Sequence, residues 1–333
     1  MPSQSETNWR ALHGNFFEGR RALVTGGAGF IGSHVCDALT ALGAQVRVID
    51  DLSGSDGSNI AHLKNIELVK ASILDEQAVN KAAQGCEFVF HLAAMVSVPA
   101  SVERPRLYHD VNTTGTVNVL SAARDAKAKR VMFSASSSAY GDSVELPKIE
   151  TMTPMPKSPY AATKLAGEEY IRAYANSYET DGVALRYFNI FGPRQNANSA
   201  YAGVIAAFAR MLLNGQNPTI TGDGTATRDF TYVHNAVHAN LLGARHPQRL
   251  NGEVFNVATA HSMTITELAT SMARLINRAD LKPKYLPPRA GDVMHSLADL
   301  TRSKRVLNYE PIITFEPGLK ATLDWYQSRH STR

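Results

Sequence analysis

"RALVTGGAGFIG", residues 21–32, decides the fold. A strand-like run (21–25) passes straight into glycines at 26, 29 and 32, and a helical pattern over 30–42 follows. Glycines at that spacing allow a tight turn and let backbone approach a pyrophosphate at the helix N-terminus. A glycine cluster alone marks only a turn; the strand before it and the helix after it give it meaning. The next strand, 45–49, delivers Asp50, 21 residues beyond Gly29. A carboxylate there accepts from both ribose hydroxyls of NAD and repels a 2′-phosphate, and Asp51 and Leu52 follow it instead of an arginine. The segment predicts binding of NAD in preference to NADP.

The same alternation continues outward. Strand-like runs recur at 66–70, 88–92, 130–134 and 182–188, with helical patterns at 75–84, 106–126 and 159–179 between them. Near-continuous apolar strands alternating with helices predict an α/β, doubly wound parallel sheet covered on both faces. After residue 190 the rhythm breaks, and Gly, Pro and Asn collect in "FGPRQNANSA" (191–200) and "KPKYLPPRAGD" (282–292). The expected organisation is a loosely held extension over 1–18 and an NAD-binding domain over 19–190, with returning segments near 230–257. A smaller, interleaved substrate-binding domain is expected to fill most of 191–333.

The bulk of the chain excludes several classes. With 44% hydrophobic and 19% charged residues, the 333-residue chain is an ordinary globular protein. Its net charge of +4 includes no long basic run, so no nucleic-acid partner is expected. Two cysteines, Cys36 and Cys86, make neither a disulfide framework nor a metal cluster. Neither a signal peptide nor an 18-residue apolar run is visible, which predicts a cytoplasmic protein without membrane contact.

"SPYAATKLAGEEY", residues 158–170, sets a tyrosine and a lysine four apart. Ser158 suits an N-cap and Pro159 the first helical position, so Tyr160 and Lys164 share one helix face. Taken alone, the pair fits a half-exposed helix surface as well as it fits a reaction centre. "SASSSAYG" (134–141), at the end of the fifth strand, adds Ser136, Ser137 and Ser138. Ligands of such sheets sit at the carboxyl ends of the strands, so the hydroxyls, the tyrosine and the lysine meet at one edge. Together they form a proton-transfer set for alcohol oxidation. A free tyrosine has a pKa near 10, and a neighbouring ammonium together with an oxidised nicotinamide is expected to lower it.

These motifs resemble the extended short-chain dehydrogenase/reductases over about 19–330. Within them, "LRYFNIFGPRQ" (185–195), "GDGTATRDFTY" (222–232) and "RAGDVMHSLAD" (289–299) resemble UDP-hexose 4-epimerases, especially those handling UDP-N-acetylglucosamine and UDP-glucose. The resemblance implies that Tyr160 is the base, that Lys164 holds ribose and tunes the tyrosine, and that Ser136 shares the substrate proton. It implies cofactor contacts from Gly26, Gly29, Phe30 and Ile31 in the turn, and from Asp50, Asp51, Ser53 and Ile73 after the next strands. Leu92, Ala93 and Ala94 of "HLAA", Asn112 and Tyr187 complete that set. On the substrate side it implies Ser97, Ser136, Ser137, Ser138, Asn189 and Arg228, with Arg289, Asp292 and Ser296 from the last motif. Ser72 stands where the family often has an aspartate for the adenine amine.

The implied reaction is reversible C4 epimerisation through a 4-keto sugar and transient NADH. The 4,6-dehydratases resemble one another in an Asp-Glu pair where this chain has Ser137 and Ser138, and decarboxylating relatives usually keep a glutamate in that loop. Uronate 4-epimerases often carry threonine in place of Asn189. A non-enzymatic NAD-binding sensor would typically lack Tyr160 or Lys164. The resemblance further implies a homodimer through a four-helix bundle of the helices at 106–126 and 159–179. Val117, Val119, Leu120, Ile171 and Tyr174 are expected to be apolar residues beyond those needed to cover the sheet.

Overall fold

The computed structural model describes residues 7–197, 203–287 and 294–330. Its centre is a seven-stranded sheet. The strands are β1 (Arg21–Thr25), β2 (Gln45–Asp50), β3 (Ile66–Lys70), β4 (Phe88–His91), β5 (Arg130–Ser136) and β6 (Gly182–Tyr187), with Glu253–Val257 outside β6. All its pairings are parallel, and the order runs β3-β2-β1-β4-β5-β6 and then 253–257. Chain direction across the sheet therefore reverses between β1 and β4, which opens a crevice at their carboxyl ends. This is the expected Rossmann-like architecture. Buried apolar residues form one cluster on each face of the sheet, and a third cluster fills the C-terminal part around Phe208, Leu268 and Leu323.

Three features differ from the sequence expectation. Residues 7–18 are not loosely held: Trp9, His13 and Phe17 are buried, and Phe16 and Phe17 both pack on Phe88. The segment is polar in composition, but its spaced aromatics cover the sheet face. The helical run after β4 is not continuous either. It consists of Pro105–His109, a wider π-turn over Asp110–Thr114, and Gly115–Asp125. The bulge falls at Asn112, whose side chain is drawn into the site described below.

The third difference concerns the expected dimer surface. Val119, Leu120, Ile171 and Tyr174 belong to the core cluster on one sheet face, leaving only Val117 half-buried. Helices that cover a sheet spend their apolar stripe on it. Beyond residue 230, the helix Val233–Arg245 packs on β5, β6 and the glycine helix Phe30–Ala41, and 253–257 completes the sheet. Leu300, Leu307 and Tyr309 also join the sheet's core. No helix among the described residues is long and apolar enough to cross a membrane.

The N-terminal segment is fastened by histidines. His13 and His238 meet ring to ring at 3.1 Å, and Thr7 bonds His234 at 2.8 Å. Burial, followed by the neighbouring His238 and Arg245 charges, lowers His13 to about 3. Burial, then Arg245, lowers His238 to about 4. In the unfolded chain each titrates near 6.5. Below that pH the unfolded chain takes up protons that the folded one refuses, so stability is complete at pH 7 and falls as pH drops toward 4. The melting temperature is expected to fall between pH 7 and pH 5, and the double variant His13→Phe/His238→Leu to show a shallower fall. Equal slopes in variant and parent would contradict the assignment.

Candidate active site

The glycine turn lies at the β1/β4 crevice. Gly26 has φ +68°, and a Cβ there would sit 2.7 Å from the Ala93 backbone. The turns after β1 and β4 thus touch, a contact that only glycine permits. A Cβ at Gly32 would come 2.1 Å from the Gly26 carbonyl oxygen, so the helix can start directly against the turn. Gly29, Phe30, Ile31, Leu92, Ala93 and Ala94 are half-buried along this rim. Asp50 ends β2 with its carboxylate half-buried, accepting from the Ala28 and Leu52 amides at 3.0 and 2.9 Å. Those bonds leave carboxylate lone pairs for a diol. A close backbone cradle at a helix N-terminus, with an acceptor carboxylate beyond it, fits a dinucleotide.

The outlying members are placed less uniformly. Asp51 is exposed and holds the amide and hydroxyl of Ser53. Ile73 is buried and fills the space beside Gly115. Ser72, in the departure from the family pattern, already accepts from the Leu74 amide at 3.2 Å.

Asn112 is buried as a clamp. Its Oδ1 accepts from the Met95 amide at 2.8 Å, and its Nδ2 donates to the Met95 carbonyl at 3.0 Å and to Thr163 at 3.1 Å. It therefore ties the loop after β4 to the tyrosine helix, Pro159–Ser177. Beneath that loop His91 bridges Thr25 (2.7 Å) and Thr116 (3.0 Å), and Thr25 accepts the Ala93 amide. Burial first, and then Lys164, lowers His91 to about 3, so it stays neutral. Sequence reading missed Thr25, His91, Thr116 and Thr163, because each is polar for a partner distant in sequence.

The tyrosine helix begins as its sequence requires, with Ser158 Oγ accepting from the Ala161 amide. Tyr160 and Lys164 lie one turn apart beside the end of β5. Ser136 Oγ accepts from the Ser138 hydroxyl at 2.8 Å and the Ser138 amide at 3.2 Å. Ser136, Ser137 and Ser138 are all half-buried. Burial pushes Tyr160 up, and the hydrogen bond with Ser136 pulls it partway back. Lys164 Nζ donates to the Ser134 carbonyl at 2.8 Å and lies 5.0 Å from the Phe133 ring centroid. The ammonium thus anchors on β5, and in the protein alone Tyr160 lies above the ordinary phenol value, not below it. Tyr187 is buried, its hydroxyl held by Asn240 at 2.6 Å and Ser134 at 3.3 Å.

The substrate-side residues come from separate segments. Ser97 caps the short helix Val98–Glu103, and its amide bonds the Tyr108 hydroxyl. Asn189 has φ +38° and donates to the Asp229 carbonyl at 3.0 Å. Arg228, on the short strand Thr227–Asp229, donates to the Thr227 and Met294 carbonyls. The Ser296 amide donates to the Thr227 carbonyl at 3.1 Å, which sets Ser296 alongside Arg228. Arg289 and Asp292 lie outside the described residues. Among the described residues no cluster of histidine, cysteine, aspartate or glutamate is arranged to hold a metal.

Residues 22–258 match the model of the NAD dependent epimerase/dehydratase family. The chain is 39% identical over 314 residues to the UDP-glucose 4-epimerase of Mycolicibacterium smegmatis, covering 93% of this chain and 99% of that one. It superposes with a TM-score of 0.89 on the UDP-N-acetylglucosamine 4-epimerase of Methanobrevibacter ruminantium, solved with UDP-N-acetylmuramic acid. That pair is 39% identical, over 94% of this chain and 99% of the other. The UDP-glucose 4-epimerase of Thermotoga maritima, solved with UDP-glucose, gives a TM-score of 0.88 at 38% identity, over 93% and 99% of the two chains. With the glycine turn, Asp50 and the Tyr160–Lys164 pair gathered at one sheet edge, this chain belongs to the NAD-dependent epimerase/dehydratase family.

Proposed function

We propose that the protein reversibly epimerises UDP-hexoses at C4, acting on UDP-N-acetylglucosamine/UDP-N-acetylgalactosamine and UDP-glucose/UDP-galactose. The observation that carries this reading is the hydroxyl cluster of Tyr160 and Ser136 beside the NAD cradle, with Ser137 and Ser138 where eliminating relatives need acids. The glycine turn, Asp50 and Lys164 would hold NAD, which would supply a hydride acceptor and donor and positive charge beside the phenol. Tyr160 removes the 4-hydroxyl proton and later restores it, and Ser136 shares that proton. Asn189, Arg228, Arg289 and Asp292 grip the UDP portion, where planar arginine forks suit a diphosphate. With the UDP portion gripped, the 4-keto sugar is free to turn about its diphosphate and present its opposite face. Because the cofactor ends unchanged, it behaves as a held prosthetic group. The two buried free thiols suit the cytoplasm, where we place the protein.

We further infer a homodimer, with the helical run 105–125 and the tyrosine helix pairing across a two-fold axis. Half-buried Val117 and exposed Tyr170 and Tyr178 remain for that contact. Light scattering at micromolar concentration is expected to give twice the chain mass; a monomer mass rules the dimer out.

Tyr160→Phe is expected to cut turnover at least about a hundredfold, since general acid–base transfer contributes ~10² to 10⁴. Substrate affinity should change little, because UDP is gripped elsewhere. Separating C4 epimers after incubation with each UDP-sugar measures this, and near-normal turnover would remove Tyr160 as the base.

Ser296 is the proposed gate at the sugar C2 substituent: a small side chain admits an acetamido group. Ser296→Tyr overpacks that space, at about 1–3 kcal/mol. The ratio of kcat/KM for UDP-N-acetylglucosamine over UDP-glucose should fall roughly ten- to a hundredfold, at 1.36 kcal/mol per tenfold. An unchanged ratio, or a parent protein inert toward the N-acetyl sugar, rejects Ser296 as the gate.

A further inference from the structure

Glu168 lies one helical turn beyond Lys164, on the same face, and it is 0% exposed. A fully buried carboxylate is costly unless it is paired and hydrogen-bonded. Its partner is Arg186 on β6, itself 2% exposed, which bonds both carboxylate oxygens, Nε to Oε1 at 2.9 Å and Nη2 to Oε2 at 2.7 Å. The guanidinium lies over the Tyr140 ring, 4.5 Å from its centroid, and that tyrosine bonds Asn256. The helix is pressed onto the sheet at this point. A Cβ on Gly167 would come 2.2 Å from the Phe133 ring. The contact brings Lys164 down onto Phe133 and the Ser134 carbonyl and closes both charges off from water.

We propose that Glu168, fixed by Arg186 in the same buried helix–sheet seam one turn from Lys164, is a positioning residue for that lysine at the cofactor-side edge of β5. A packing role alone would be served by an apolar side chain of similar volume, without the desolvation of an ion pair. Burial drives Lys164 down to about 8, and Glu168 is the group that works against that fall. The other titratable side chains on packed elements do not replace it. His91 on β4 is neutral. Burial raises the phenols of Tyr160 and Tyr140, which keeps both neutral at pH 7 in the protein alone. Arg130 on β5 is tied to Asp181, and Arg124 to Asp125. His109 and Asp110 belong to the helical run before the site.

The proposal rests on the reading of Lys164 as part of the reaction site, but its test reads the lysine directly. Protein labelled with ¹³Cε-lysine is titrated by NMR, the Lys164 signal being assigned by its loss in Lys164→Arg. In Glu168→Gln the Lys164 midpoint is expected to fall by about one pH unit or more, a tenfold change in its protonation constant. In Glu168→Asp, which keeps the charge, the midpoint should stay near the parent value. Should Glu168→Gln not fold because Arg186 is left unpaired, Glu168→Gln/Arg186→Gln removes both charges, and its midpoint should still lie below the parent's. The alkaline limb of kcat/KM should move with the midpoint. A parent midpoint in either glutamine variant, or an equal loss of rate at every pH, overturns the proposal. A protein inert toward UDP-sugars that still shows the shifted midpoint would overturn the epimerase reading and support this one.

Discussion

The site depends on backbone touching backbone at the β1/β4 crevice. Because residue 26 has no side chain, the turn after β1 lies against the turn after β4. From that contact a line of hydrogen bonds runs inward: the Ala93 amide to Thr25, Thr25 to His91, His91 to Thr116, and the Thr116 hydroxyl to the Asn112 carbonyl. Asn112 then holds Met95 on one side and Thr163 on the other. The cofactor turn and the tyrosine helix are therefore fixed relative to each other by satisfied, buried polar groups. Such networks specify one arrangement because an unpaired member would be costly.

The same economy explains the π-turn at Asp110–Thr114. A regular helix through these residues would carry Asn112 around with the helix screw. The wider turn instead leaves its amide pointing at the loop after β4, a common use of such bulges at functional sites.

Electrostatics at the site is set by burial first and partners second. Tyr160 and Lys164 are both pushed toward their neutral forms by desolvation. Around them the chain supplies one hydroxyl, Ser136, for the tyrosine and one carboxylate, Glu168, for the lysine. His91, neutral and bonded on both ring nitrogens, adds polarity without adding charge. Burial thus draws both side chains toward neutrality, and one polar partner on each opposes it.

Much of this was legible in the sequence because it is local. The strand periods, the glycine spacing, Asp50 at the end of β2 and the Ser158–Pro159 helix start each depend on residues near one another in the chain. The Tyr160–Lys164 spacing is equally local, since a helix places i and i+4 on one face. What the tertiary structure alone decided is where long-range partners lie. Val119, Leu120, Ile171 and Tyr174 could have covered a sheet or a second subunit, and the chain spends them on its own sheet. Trp9 and Phe17 sit in a polar stretch whose burial depends on the sheet face and on His234 and His238, more than two hundred residues away. Glu168 reads as a good helix former, and only its meeting with Arg186, 18 residues on, reveals a buried pair. Local sequence sets dihedral preference and hydrophobic period; which charge meets which, and what is removed from water, is settled only when distant segments pack.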